Sequence, residues 1–179
     1  VLRDNVRFRR RIEATYRLAI AQARSEILIA NAYFIPGVRL QRALLRAARR
    51  GVRITLLLQG RYEYFMQHHA SRAVYGVLLD GGIEIIEYAP SFLHAKVAVI
   101  DGTARAISTV GSSNLDARSF HYNAECNALV LDDETGRALS EAFFRDLECA
   151  REIRLEAWKE RGVLHRLGDS AARRLTPFL

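Results

Sequence analysis

Four kinds of side chain able to handle a phosphate crowd into the 21 residues from His94 to Asn114. His94-Ala95-Lys96 comes first, Asp101 closes the next run, and Gly111-Ser112-Ser113-Asn114 follows. Attack on a phosphodiester needs a nucleophile or an activated water, donors for the equatorial oxygens, and an acid for the departing alcohol. An imidazole serves as nucleophile or proton carrier near neutral pH. Lys96 and Asn114 can donate to phosphate oxygens, and Ser112 and Ser113 can add hydroxyls while the turn adds backbone amides. One of the two serines can equally cap the next segment. Asn123, Glu125 and Asn127 alternate further on, so a strand puts them on one face. A carboxylate there can accept from a histidine nitrogen and fix its tautomer.

The segments around these residues must hold them in place. His94 and Lys96 share one face if the strand begins there, and Val97 to Ile100 are apolar on both faces, as in a strand covered on both sides. A buried sheet that presents His and Lys together has to satisfy them, and a phosphate with neighbouring acceptors does so. Residues 4–24 read as an amphipathic helix capped by Asp4 or Asn5, with Arg7, Arg9, Arg10 and Arg11 near its start. A strand over 27–32 leads into a loop at Tyr33-Phe34-Ile35-Pro36-Gly37. A helix over 38–50 turns Leu40, Leu44 and Ala47 inward and five arginines outward, with Gly51 as its stop. A strand over 52–58 then gives a parallel pair joined by a crossover. Residues 61–70 read as an irregular loop, 71–80 as a helix, and 83–88, 96–100, 105–110 and 125–131 as strands. Asp132 or Asp133 caps a long helix over 134–150. The fold class is α/β: a layered domain with a mixed, mostly parallel sheet flanked by helices. Residues 1–150 form one unit, and 151–179 a basic amphipathic tail packed on it or extending from it.

The bulk properties narrow the function. At 179 residues the chain suits one domain with a sizeable core. No apolar run reaches the length of a transmembrane helix. The chain does not begin with Met, and it reads as a piece of a longer protein. Cys126 and Cys149 are too few for a disulfide framework and read as two buried, reduced thiols. The net charge is +7, and only Lys96 and Lys159 are lysines, the other cations being arginine. The motif therefore holds a compact ammonium in a chain that otherwise uses flat guanidinium. The positive balance suits phospholipid headgroups or nucleic acid.

The spacing HxKxxxxD followed by GSxN resembles the phospholipase D superfamily. Most of residues 5–150 resembles the C-terminal half of a bacterial cardiolipin synthase. The resemblance is carried by Asn31-Ala-Tyr33-Phe34-Ile-Pro36, Arg50-Gly51-Val52, Leu93-His94-Ala-Lys96, the run Gly111 to Ser119, and Asn123 with Glu125. It implies a catalytic set of His94, Lys96, Asp101, Asn114 and Glu125. Ser112, Ser113, Tyr33 and His121 would contact substrate; His68, His69 and His165 read as surface or loop histidines.

The resemblance further implies that two such motifs face each other across a pseudo-twofold axis, without metal or other cofactor. One histidine takes the phosphatidyl group as a phosphohistidine, and the other moves the proton. As a second motif, His94 would be the acid and base; in a symmetric dimer the division would break on substrate binding. The implied activity is a phosphatidyltransferase that makes cardiolipin from phosphatidylglycerol, peripheral on the cytoplasmic side of the inner membrane. Its partners are anionic phospholipids and a second half-domain, either the N-terminal half of the same protein or a second copy. Nine residues, Gly102 to Val110, separate Asp101 from Gly111, three more than the family pattern carries. A longer hairpin absorbs them, and the altered spacing points Asp101 toward a structural role at the strand end. Two other readings fit the single motif: a homodimeric superfamily nuclease or phosphodiesterase, for which nucleic acid is the partner, and a non-catalytic module that binds anionic lipid or phosphate.

Overall fold

The computed structural model describes residues 2–3, 10–61, 65–102, 104–162, 168 and 171. In chain order its first half runs β1 (Leu2–Arg3), α1 (Arg11–Gln22), β2 (Glu26–Asn31), β3 (Phe34–Ile35), α2 (Val38–Arg49), β4 (Arg53–Gln59), α3 (Phe65–Arg72), α4 (Tyr75–Asp80) and β5 (Glu84–Tyr88). The second half runs β6 (Lys96–Ile100), β7 (Ile107–Gly111), β8 (Leu115–Asp116), α5 (Ala117–His121), β9 (Glu125–Leu131), α6 (Asp133–Leu147), β10 (Arg151–Glu152) and α7 (Leu155–Lys159).

Strands join in the order β1-β9-β7-β6-β2-β4-β5-β10, and β3 and β8 form a separate two-stranded sheet. The apolar run Ile27–Ala30 explains why β2 sits in the middle. Ile27 and Ile29 face a core shared with Ile12, Tyr16 and Ile20 of α1 and Leu40 and Leu44 of α2. Leu28 and Ala30 face the other way, toward Leu57, Val99 and Phe143 of α6. A strand covered on both faces can be apolar throughout.

The layered α/β class and the mixed sheet are as the sequence predicts, and β2 pairs β4 in parallel across α2. The mostly parallel character is not. Among the described residues of the large sheet, only β2–β4 and β4–β5 run parallel. The β6–β7 and β7–β9 neighbours follow one another through short connections, and these pair antiparallel.

Helix α2 matches its prediction closely. Leu40, Ala43, Leu44 and Ala47 are buried at helical spacing. Gly51 takes φ +88, where an L side chain is strained, so its amide donates to Ala48 O at 2.9 Å and that of Val52 to Ala47 O at 3.2 Å. Helix α1 is shorter than its pattern, starting at Arg11 without a side-chain cap. The predicted caps Asp4 and Asn5, with Arg7 and Arg9, lie outside the described residues.

Residues 65–70, read as part of a loop, belong to the helix that runs to Arg72, and His68 and His69 stand on it half-buried. The helix read over 71–80 is broken at 73–74 before α4 begins. Buried Val74 and Tyr75 belong to the main core, while Ala70 packs with Ile35 in a small separate cluster. The two helices thus serve different cores, and no single apolar stripe runs through both.

The thiols are a correction. Cys126 and Cys149 are both free, but both are exposed. Cys126 alternates with buried Asn127 on β9 and so points to the opposite face, which α6 does not cover at that end.

The basic tail beyond 150 begins as part of the domain. Arg151 and Glu152 pair antiparallel with Glu87 and Ile86 of β5. Trp158 is buried against Tyr75 at 5.0 Å between ring centroids, with the Arg161 guanidinium over the Trp158 ring at 3.1 Å from its centre. Buried Glu87 pairs with both Arg72 and Arg151.

Candidate active site

Antiparallel pairing fixes the place of the motif. Lys96 opens β6 opposite Asn31, the last residue of β2. Gly111 closes β7 opposite Asn127 of β9. Alternation from these registers puts Asn31, Lys96, Thr109, Glu125 and Asn127 on one sheet face, the face that also carries α1. The 111–121 segment folds across this face and buries Leu115 and Phe120 in the core.

Lys96 is 6% exposed. Its ammonium donates to the carbonyl of His94 at 3.0 Å. Burial lowers its pKa, while the charges of Glu125 and Asp116 pull in the opposite sense. His94 lies just before the strand rather than in it, and its side chain is exposed. A buried cation behind an exposed imidazole is an arrangement that accepts an anion from the solvent side.

The GSSN turn is held from both strands. A side chain at Gly111 would run into the Asn127 carboxamide and the Cys126 carbonyl, so only glycine fits there. The Ser112 amide donates to Cys126 O at 3.0 Å. The Ser112 hydroxyl accepts from the Cys126 amide at 3.1 Å and donates to Glu125. Glu125 also accepts from the Asn123 carboxamide at 3.2 Å. Fully buried Ser113 donates its amide to Asn127 Oδ1 at 3.3 Å and its hydroxyl to Asn114 O at 3.2 Å. Asn127 Nδ2 in turn donates to Thr109 at 3.2 Å. Beneath them lies Tyr16, whose phenol burial pushes up to about 12 against the pull of Thr109 and Asn127.

Sequence spacing alone missed two residues as parts of this site. Asn31 is fully buried and accepts the Leu115 amide at 3.2 Å through Oδ1. Its Nδ2 has no hydrogen-bond partner among the described residues, and neither does Asn114 Oδ1. Asp116 caps α5, accepting from the Ser119 amide at 2.6 Å, and burial raises its pKa with Glu125 adding to the rise. The only advance signal for either was a place in a motif string. The open Nδ2 of Asn31, on the residue that pairs with Lys96 across the sheet, is a buried donor for an anion, whereas the open Oδ1 of Asn114 is an acceptor.

The structure therefore brings Lys96, Ser112, Ser113, Asn114 and Glu125 together, with His94 at their edge. Tyr33 follows Ala32, whose amide donates to Ala95 O at 3.0 Å, so it leaves β2 beside the His94 segment, half-buried. The backbone of His121 ends α5, and its side chain lies outside the described residues. Glu125 is engaged by Ser112 and Asn123, not by a described histidine.

Asp101 is not brought to this cluster. It sits at the far end of β6, where its carboxylate accepts from the Arg24, Ser25 and Glu26 amides and the Ser25 hydroxyl at 2.8–3.2 Å. Burial alone would raise its pKa, but these bonds lower it overall. The extra residues beyond it form the β6–β7 connection between Ile100 and Ile107, which are paired.

This architecture is that of a phospholipase D-type domain. It superimposes with a TM-score of 0.68 on a phospholipase D family member, Nuc, from Salmonella typhimurium, at 19% identity over 79% of this chain and 90% of that one. A family model described as the phospholipase D-like domain of cardiolipin synthase matches residues 16–147. Cardiolipin synthase B of Escherichia coli K12 is 44% identical over 139 residues, 78% of this chain and 33% of its own length. Cardiolipin synthase 2 of Bacillus anthracis is 38% identical over 168 residues, 94% of this chain and 32% of its own length. The chain belongs to the cardiolipin synthase family of phospholipase D-like domains, and it spans about a third of the length of these relatives. Among the described residues no helix is long and apolar enough to cross a membrane.

Proposed function

We propose that this chain supplies one half-site of a phosphatidyltransferase that makes cardiolipin. A phosphatidyl group moves to phosphatidylglycerol through a phosphohistidine, and the other histidine comes from a second half-domain. The observation that carries the reading is the buried ammonium of Lys96, two residues from the exposed His94 and paired across the sheet with Asn31, whose Nδ2 is an open buried donor. In the first step an imidazole nitrogen of the second half attacks phosphorus. A P–N bond forms, the P–O bond to the departing alcohol breaks, and His94 gives that alkoxide its proton. In the second step a hydroxyl of phosphatidylglycerol loses its proton to His94 and attacks phosphorus, and the P–N bond breaks. Lys96 and Asn114 hold the phosphoryl oxygens throughout, with Ser112 and Ser113 shaping the turn and Tyr33 and His121 at the substrate's edge. Glu125 keeps the Ser112 hydroxyl in place and offsets the charge of Lys96.

A half-site suits a chain that spans about a third of its relatives, so the rest of the same protein is the favoured source of the second histidine. In this reading the protein works on its lipid substrates as a peripheral protein at the cytoplasmic face of the inner membrane. The test uses the protein from its complete reading frame with phosphatidylglycerol vesicles in EDTA. Cardiolipin should form, and His94→Ala should abolish it. No product from the wild type, or equal product from the variant, overturns the reading.

A further inference from the structure

We propose that the arginine-lined cleft between α1 and α2 docks the headgroups of an anionic phospholipid surface, at a place separate from the Lys96 site. The choice of lipid over other polyanions rests on the phosphatidyl-transfer reading above. The cleft has a volume of about 470 Å³ and is lined by Arg17 and Leu18 of α1 and by Arg39, Arg42, Arg46 and Arg50.

The four arginines of the second wall recur at spacings of three and four, which sets them in one stripe along α2. From Arg39 to Arg50 that stripe is about 16 Å long at the helical rise. Arg50 belongs to the frame: its guanidinium donates to Ile20 O at 3.0 Å and Ala23 O at 3.3 Å, tying the end of α2 to the end of α1. The others differ. Among the described residues, Arg17, Arg39, Arg42 and Arg46 have no carboxylate within ion-pair reach. Like charges at these spacings repel. A stripe of fixed cations without counter-charge is relieved by an anion, and guanidinium forks match phosphate oxygens.

The apolar content of the cleft selects the kind of anion. Leu18 is 64% exposed in its wall, and Val38, 54% exposed, opens α2 next to Arg39. Exposed aliphatic side chains among guanidiniums fit the boundary where headgroup phosphates meet glycerol and acyl carbon. A single-stranded nucleic acid would stack on aromatic rings, and none lines the cleft. The placement is also apt. Arg39 stands four residues after Ile35, which pairs with Asp116 of the candidate site, so the stripe starts at the site end of the domain. Docking here would set the Lys96 site against the same leaflet.

The experiment compares the full-length protein with Arg42→Gln/Arg46→Gln and with Arg42→Lys/Arg46→Lys. Arg39→Gln/Arg42→Gln serves as a second, independent charge-removing pair. Each is sedimented with vesicles of phosphatidylglycerol in phosphatidylcholine and with phosphatidylcholine alone. Each cation near an anionic leaflet contributes about five- to sixfold in partitioning, so either Gln pair should weaken phosphatidylglycerol binding about thirtyfold. The Lys pair should retain binding, and turnover of a short-chain phosphatidylglycerol in free solution should be unchanged in all variants. Equal vesicle binding by wild type and both Gln pairs overturns the proposal, as does a loss of DNA binding with vesicle binding intact. A thirtyfold loss in a protein that makes no cardiolipin supports the docking cleft while removing the transfer reading.

Discussion

Replacing Asp101 separates structural from chemical roles within the motif. The carboxylate takes three backbone amides and one hydroxyl from residues 24–26. It also sits at φ +51, a conformation that Asp and Asn tolerate better than Ala. Hydrogen bonds to a charged group contribute about 1.5–3 kcal/mol each in protected surroundings, and half-exposure reduces that. We expect Asp101→Ala to lose about 2–3 kcal/mol, of which about 1 kcal/mol is backbone strain. Asp101→Asn keeps the backbone preference and one acceptor oxygen and should lose about 1 kcal/mol. For a chain of this size these losses lower Tm by about 5–10 °C and 2–4 °C.

The pH dependence follows from the lowered pKa. The folded protein holds the carboxylate ionised below its ordinary value of 3.8, so the stabilisation is complete above that value and disappears as pH falls through the depressed one. The gap between wild type and Asp101→Asn should therefore narrow below about pH 4. Urea unfolding at neutral and acid pH measures this, with cardiolipin formation assayed below the unfolding range. An Asp101→Asn protein as stable as wild type but inactive would refute the reasoning and return Asp101 to the chemistry.

Three further outcomes follow from the site. Lys96→Met should fold normally by circular dichroism and lower kcat/KM for phosphatidylglycerol by about 10²–10³, the range for losing one preorganised charge donor; an active Lys96→Met would remove the ammonium from the phosphate site. Gly111→Ala must displace the Asn127 carboxamide or the Cys126 carbonyl and should cost about 1–3 kcal/mol, read as a fall in Tm. Asn31→Ala leaves the Leu115 amide buried without its acceptor and should cost about 1–3 kcal/mol; a Tm within a degree of wild type would show that this bond does not hold the turn.

What could be read from the chain and what could not divide along physical lines. Helix α2 announced itself through Leu40, Leu44 and Ala47 against five arginines, because its inner face meets one core. Strand β6 was legible to the residue because Val97 to Ile100 are apolar on both sides. Residues 61–80 were not, since two short helices there serve separate cores and blur the periodicity. The exposed cysteines escaped because burial of Cys126 depends on whether a helix covers that end of β9. His94, Lys96, Ser112, Ser113, Asn114 and Glu125 were singled out by type and spacing, and the fold gathers them at one end of β6. Asp101 shows the limit of spacing: its partners lie more than 70 residues earlier in the chain, and only the fold brings them together.

The pairing of β3 with β8, and the Asn31–Leu115 bond that spans 84 residues, bear on how the protein acquires its site. Closing so long a loop carries an entropic penalty before any local contact repays it, so the turn at 111–116 cannot mature early in folding on its own. The open amide of Asn31 and the turn that carries Asn114 then come into register only with the whole sheet. Amide exchange at Leu115 should accordingly require nearly global unfolding rather than local fraying. A nascent or nicked chain that has lost β2 would carry every residue of the 94–114 segment and still present no ordered pocket for a headgroup.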